Sequence, residues 1–173
     1  MIRIALMCSV MCVLCPLAVP AGPIPVTLGV FAVYLAVYAL GGVHAAFSCL
    51  LYILLGALGL PVFSGYAGGL GKLLGPTGGY LVGYVFLALI AVWFFSRSDK
   101  VLFQALGMTF GLAVCYFFGT AWFTLYKSAD GMTFAQALTV CVVPFLPFDA
   151  LKIIAALAIG NTVKLALKKA HQD

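Results

Sequence analysis

An acidic and a basic residue lie three positions apart near the end of the chain, within residues 144–152, which read PFLPFDALK. On a helix, Asp149 and Lys152 would share one face, where they can form an ion pair. Nearly all residues around them are apolar, and an ionisable side chain is costly to keep inside membrane-type sequence. Such a residue is therefore a candidate for a functional site, with Lys152 as the natural partner of Asp149.

The prolines around this pair predict where its helix begins. Pro147 has no N–H and disfavours the α conformation at Leu146, so a helix arriving from upstream should break near residues 144–147. A helix that restarts here places Asp149 in its first turn, where unpaired N–H groups and the positive end of the helix dipole stabilise a carboxylate. Two roles stay open: the pair binds a ligand, or Asp149 caps the helix and Lys152 neutralises it.

The composition is that of an integral membrane protein. Of the 173 residues, 65% are hydrophobic and 8% are charged, and the mean hydropathy is +1.22. A spanning helix needs about 20 residues, so the chain has room for about six spans and for no second domain. Residues 77–95 and 101–126 are predicted as the fourth and fifth spans, and residues 133–143 as a half-helix too short to cross. The predicted fold class is an all-α, six-transmembrane-helix bundle formed by a single domain, residues 1–173.

The basic residues predict the orientation of the chain. They cluster at segment ends, at Arg3, at Arg97 with Lys100, and within residues 164–169. The positive-inside rule places these ends in the cytoplasm. We therefore expect a multi-pass protein of the cytoplasmic (inner) membrane whose N and C termini are both cytoplasmic. The net charge of +5 follows from this distribution and does not indicate nucleic-acid binding. Residues 1–21 also fit a cleaved signal peptide, but we expect a retained first span, since its loss would split the basic ends between the two sides.

The connection between the predicted third and fourth spans is rich in glycine. Residues 59–79 contain eight glycines, Gly68 and Gly69 among them, and Gly56 lies just upstream. Glycine allows positive φ and close approach of the backbone to another group, and long connections are often binding loops or lids. The sequence of residues 71–73, Gly-Lys-Leu, lacks the Ser or Thr that ends a nucleotide-binding P-loop. We expect this outer loop to cover a ligand.

Neither the cysteines nor the other polar residues form a recognisable catalytic or metal-binding motif. All six cysteines lie in apolar runs, and the single CxxC, Cys12 with Cys15, has no second pair and no nearby histidine. The motifs HExxH and GxSxG, which an intramembrane enzyme could use, are missing. We therefore expect no catalytic residue, no bound metal and no cofactor.

Four stretches of the chain carry specific motifs: residues 25–28 (PVTL), 56–63 (GALGLPVF), 74–80 (LGPTGGY) and 144–152. Together they resemble the BioY family, the biotin-specific substrate-binding components (S components) of energy-coupling factor (ECF) transporters, over about residues 23–158. Two features depart from the family pattern. Phe148 stands where the family usually has glycine. The first helix offers only Ala5 and Ser9 for the Ala-xxx-Ala face on which the transmembrane coupling subunit docks.

The resemblance implies six helices, biotin bound near the outer face, and uptake powered by a transmembrane coupling protein and ATPase subunits. Biotin carries ureido N–H donors and a carboxylate, so its site needs an acceptor, a cation or donor, and aromatic walls. Asp149 supplies the acceptor and Lys152 the cation, and which end of biotin each meets stays open. Tyr80 fits an interfacial anchor as well as a ligand contact. The other candidate ligand-binding residues are Thr77 and the glycines Gly68 and Gly69.

A second function is compatible with the same pair. Asp149 and Lys152 could serve an ion- or proton-coupled carrier of a small solute, which would move charge in the absence of biotin. The chain contains no ATPase motif, so active transport requires either another protein or an ion gradient.

Overall fold

Helices dominate the fold. The computed structural model describes residues 1–20, 24–41 and 43–169, without the side chains of residues 161 and 163–169. The basic side chains within residues 164–169 and the predicted boundary at residue 21 therefore lie outside the described part of the chain. The α-helices are α1 Ile2–Leu14, α2 Gly29–Leu40, α3 His44–Ala57, α4 Leu70–Leu73, α5 Gly78–Arg97, α6 Val101–Tyr126, α7 Phe134–Cys141 and α8 Leu146–Lys169.

The helices differ in their ability to cross a membrane. Among the described residues, α5 and α6 are each long and apolar enough to span one, and α7 and α8 form a broken pair bent by 56°. The apolar helices α1, α2 and α3 have 13, 12 and 14 residues. At about 1.5 Å per residue each is roughly 20 Å long, shorter than a hydrocarbon core of about 30 Å. The structure confirms a helical membrane protein and the two predicted long spans, and the count of six spans stays a prediction.

Helices α5 and α6 form the most extensive helix pair. Glycines on both helices let the backbones approach closely. A Cβ atom at Gly83 would lie 2.8 Å from Cys115 Sγ, and one at Gly111 would lie 3.0 Å from the Leu87 carbonyl oxygen. Small residues permit such contacts in membrane helices, where packing supplies much of the association energy. This close packing fixes how the side chains of α5 and α6 are placed relative to each other.

Helix α2 lies at the centre of the bundle and packs against α8, α1, α5 and α3. Most of its residues are buried, and two tyrosines attach it to α6. The Tyr34 hydroxyl donates to the Met108 carbonyl over 3.1 Å, and the Tyr38 hydroxyl donates to Gln104 Oε1 over 2.9 Å. Buried hydroxyl groups need such partners, so these bonds set the rotation of α2 against α6.

The chain breaks before α8, as the prolines predict. Helix α7 begins with a capping box formed by Thr133 and Gln136 and ends at Cys141. Helix α8 begins at Leu146, so Pro147 falls in its first turn, where the missing N–H costs no helical hydrogen bond. Asp149 lies in the same first turn, also as predicted.

The glycine-rich segment, residues 59–79, is folded onto the bundle. Strands β1 (Ala18–Val19) and β2 (Val26–Thr27) pair in antiparallel register between α1 and α2 in the chain. The Gly65 amide donates to the Pro16 carbonyl over 3.0 Å, and Trp122 Nε1 donates to the Gly75 carbonyl over 2.9 Å. These bonds hold the segment to the end of α1 and to α6.

Candidate ligand-binding site

The predicted acid and base meet inside the bundle. Asp149 is 3% exposed and Lys152 is 9% exposed. Lys152 Nζ donates to Asp149 Oδ1 over 2.6 Å, across one turn of α8. Two buried charges are tolerated only when they are paired and hydrogen-bonded, because each loses its hydration. The 2.6 Å contact therefore lets both charges stay buried inside the bundle.

A third residue, Tyr116, completes the surroundings of the carboxylate. Its hydroxyl, carried by α6, donates to Asp149 Oδ2, so both carboxylate oxygens have a donor. A carboxylate has about four acceptor positions, and Asp149 therefore keeps capacity to accept from a ligand. Sequence reasoning missed Tyr116. The available signal was a tyrosine in the middle of an apolar helix, whose hydroxyl must find a buried partner.

A cavity lies against this centre. The space within it and at its open mouth together amounts to about 420 Å³, part of which is open to solvent. Its walls come from the β2 segment, α2, α5, α6 and the α7–α8 region, so distant parts of the chain converge on it. The polar groups on its walls belong to Thr27, Tyr80, Tyr84, Tyr116, Asp149 and Lys152.

A second cavity, of about 380 Å³ counted the same way, adjoins the first. Tyr80 and Tyr84 line both cavities, whereas Thr77 lines the second cavity and not the first. The Tyr84 hydroxyl lies 3.5 Å from Thr27 Oγ1, and its ring lies against the backbone at Gly29, where an added Cβ would come within 2.2 Å of the hydroxyl oxygen. The two cavities thus form one region divided by tyrosine rings.

The structure separates the predicted site residues into two groups. Asp149, Lys152, Tyr80 and Thr77 all line this divided region. The Tyr80 hydroxyl lies 3.3 Å from Thr120 Oγ1.

Gly68 and Gly69 line neither cavity. A Cβ at Gly68 would lie 2.3 Å from the Leu60 carbonyl oxygen, and the Gly69 amide donates to the Gly56 carbonyl over 2.7 Å, with φ of 89° at Gly69. Gly68 packs within the loop and Gly69 holds the loop to the end of α3, and the contact of either glycine with a ligand stays a prediction.

The six cysteines are free thiols, and only Cys12 is more than slightly exposed. Among the residues that the structure describes, no group of three or more His, Cys, Asp or Glu side chains could hold a metal ion. The groups that line the cavities are one fixed acceptor, one fixed cation, hydroxyl groups and aromatic rings. Such a site suits a small molecule with polar ends and an apolar body.

The chain is similar to the proteins of one known family. The sequence model of the BioY family matches residues 1–169. The chain belongs to the BioY family. Its relatives include the biotin transporter BioY of Thermotoga maritima, 34% identical over 148 residues that cover 86% of this chain and 85% of that protein. The biotin transporter BioY2 of Lactococcus lactis subsp. cremoris is 32% identical over 170 residues, which cover 98% of this chain and 92% of that protein.

A solved structure is similar as well. The crystal structure of the S-component for biotin from an ECF-type ABC transporter matches with a TM-score of 0.82 at 26% sequence identity. The match covers 95% of this BioY-family chain and 88% of the other.

The bond from Tyr116 to Asp149 generates a stability prediction. Tyr116→Phe removes one donor from a buried carboxylate, and an unsatisfied buried acceptor costs about 1–3 kcal/mol. We expect a lower melting temperature for the variant purified in detergent. The control is Tyr126→Phe on the same helix, where the side chain is 52% exposed. Equal melting temperatures for the two variants would show that Asp149 does not depend on Tyr116.

Proposed function

We propose that this chain binds biotin at the Asp149–Lys152 centre and serves as the substrate-capture subunit of an ECF-type vitamin importer. The observation that carries the proposal is the buried ion pair on the wall of an aromatic cavity, in a chain of the BioY family. The relatives are named biotin transporters, and the structural neighbour is an S-component for biotin. A substrate-binding membrane protein, and not an enzyme, fits these findings.

The cavity chemistry supports biotin as the ligand. Asp149 can accept a hydrogen bond from a polar N–H group while Lys152 and Tyr116 hold its carboxylate in place. Tyr80 and Tyr84 supply ring faces against which an apolar bicyclic body can pack. Because the acceptor is already oriented and partly desolvated, the ligand gains the bond without reorganising the site.

The energy for transport comes from separate subunits in this proposal. The chain carries no ATPase motif, and in an ECF-type importer a transmembrane coupling protein and ATPase subunits supply the energy. Ala5 and Ser9 on α1 are both exposed on the surface of the bundle. Their small side chains leave room for the close approach of a partner helix, which supports α1 as the docking face.

We propose that the single domain of residues 1–173 crosses the cytoplasmic membrane six times, with the α7–α8 pair as the last span. The four spans α1, α2, α3 and α5 put Arg3 and Arg97 on one side, which is the cytoplasmic side by the positive-inside rule, and the even total of six puts the C-terminus there as well. Both termini are then cytoplasmic. The glycine-rich loop, residues 59–79, and the start of α8 at Asp149 then face outwards, where a substrate arrives.

This topology has a direct test. Tyr66 in the glycine-rich loop is 65% exposed, so a cysteine introduced there should react in whole cells with a thiol reagent that cannot cross membranes. Fluorescent reporters fused to either terminus should be shielded from external quenchers. The parent protein, with its natural cysteines, gives the background. An unreactive Tyr66→Cys protein together with externally accessible termini would reverse the proposed orientation.

The ion pair provides the test of the function. Asp149→Asn removes a charged acceptor, and a hydrogen bond to a charged group is worth about 1.5–3 kcal/mol, so we expect a roughly ten- to hundredfold loss of biotin affinity. Lys152→Met should weaken binding as well, and it should lower the melting temperature because it leaves a buried carboxylate without its cation. Both quantities are measured on the same purified preparations.

The chain offers a matched control. Lys127 and Asp130 form another ion pair with the same spacing, 2.8 Å apart, but exposed to solvent. Lys127→Met should leave biotin affinity unchanged, because exposed pairs contribute little. If folded Asp149→Asn and Lys152→Met proteins bind biotin as tightly as the parent does, the pair only caps α8 and the proposed site is wrong.

A further inference from the structure

In the described part of the chain, one buried polar atom takes no part in the hydrogen bonds around Asp149. Thr77 is 8% exposed, and its Oγ1 atom is buried with no hydrogen-bond partner among the described residues. Leaving a buried hydroxyl unsatisfied is unfavourable, and such groups are few in folded proteins. Thr77 lines the second cavity, so a molecule in that cavity can supply the missing partner.

The position of Thr77 in the fold favours a negatively charged partner. It directly precedes α5, a helix of 20 residues with no acidic residue in its first turn. No acidic side chain in the first turn therefore neutralises the positive end of the helix dipole or accepts from the first-turn amides. Helix N-termini of this kind are suited to carboxylate or phosphate groups.

The two cavities differ in their charge. The first is lined by Asp149, whose charge repels an anion, and Lys152 is already paired with that carboxylate. None of the described residues that line the second cavity is acidic, and the lining hydroxyl groups include those of Thr77 and Ser64. An anionic group of a ligand is thus better placed in the second cavity.

We propose that Thr77 is a specificity-determining residue whose hydroxyl donates a hydrogen bond to the carboxylate of the bound ligand. The ligand lies across both cavities along Tyr80 and Tyr84, which line the two, and its opposite end meets Asp149. This assignment rests on the proposed function, because it takes biotin as the ligand. It makes the N-terminus of α5 the carboxylate end of the site.

The consequence is a preference for the charged ligand. A hydrogen bond to an ionised acceptor is stronger than one to a neutral acceptor, and a helix N-terminus adds attraction only for a negative charge. The parent protein should bind biotin more tightly than it binds biotinamide, in which the carboxylate is replaced by a neutral amide. Removal of the Thr77 hydroxyl should reduce that preference.

The experiment measures the affinity of purified protein for biotin and for biotinamide. Thr77→Val keeps the shape of the side chain and removes the donor. We expect a roughly ten- to hundredfold loss of affinity for biotin and a smaller loss for biotinamide. Thr77→Ser should retain the preference of the parent. Thr109→Val removes an exposed hydroxyl that bonds within α6 and should change neither affinity.

Several results would overturn the assignment. Thr77→Val could bind both ligands as the parent does, or it could lose affinity for both by the same factor, which is the signature of a purely structural role. If the valine variant does not fold, Thr77→Ala, which also lacks the hydroxyl, gives the same comparison. A parent protein that binds neither ligand would refute the proposed function itself, whereas a parent that binds biotin without preference over biotinamide refutes only the role of Thr77.

Discussion

A carboxylate inside a membrane bundle is stable only when fixed donors replace the water that it has lost, and Asp149 meets this condition through two side chains. Lys152 occupies one oxygen from the next turn of α8, and Tyr116 occupies the other from α6. Removing a charge from water costs several kcal/mol, so the buried carboxylate needs the hydrogen bonds from both donors. The register of α6 against α8 is therefore tied to a single ionised group.

The rest of the bundle holds that register. The break at residues 142–145 starts α8 where Asp149 falls in its first turn, and the helix end adds its own favourable field. The close glycine contacts between α5 and α6 fix Tyr116 on one helix relative to Tyr80 and Tyr84 on the other. An arrangement that satisfies a buried charge also leaves an oriented acceptor beside aromatic walls, and these are the elements of a ligand site.

Local chemistry explains how much of this could be predicted from the sequence. The prolines at 144 and 147 restrict only their own neighbourhood, so the break and the start of α8 followed from them directly. The spacing of Asp149 and Lys152 predicted their pairing for the same reason, since a helix sets the distance between residues three apart. The long apolar segments predicted α5 and α6 because length and composition suffice for a span.

What the sequence could not show depends on contacts between distant segments. Tyr116 is one of eight tyrosines, and only the rotation of α6 against α8 selects it as the partner of Asp149. The glycines of residues 59–79 predicted backbone freedom, but not that Gly68 would pack against Leu60 and Gly69 would bond to the end of α3. Helix α2 begins at Gly29, after β2 and Leu28, and the pairing of two strands of two residues each has no clear sequence signal.

The central claim is that this chain alone contains a complete binding site for biotin. Equilibrium binding of radiolabelled biotin to the purified protein in detergent, with no other subunit present, tests it most directly. We expect saturable binding of one biotin per chain, competed by unlabelled biotin. Binding that does not saturate, or that requires added coupling or ATPase subunits, would contradict it.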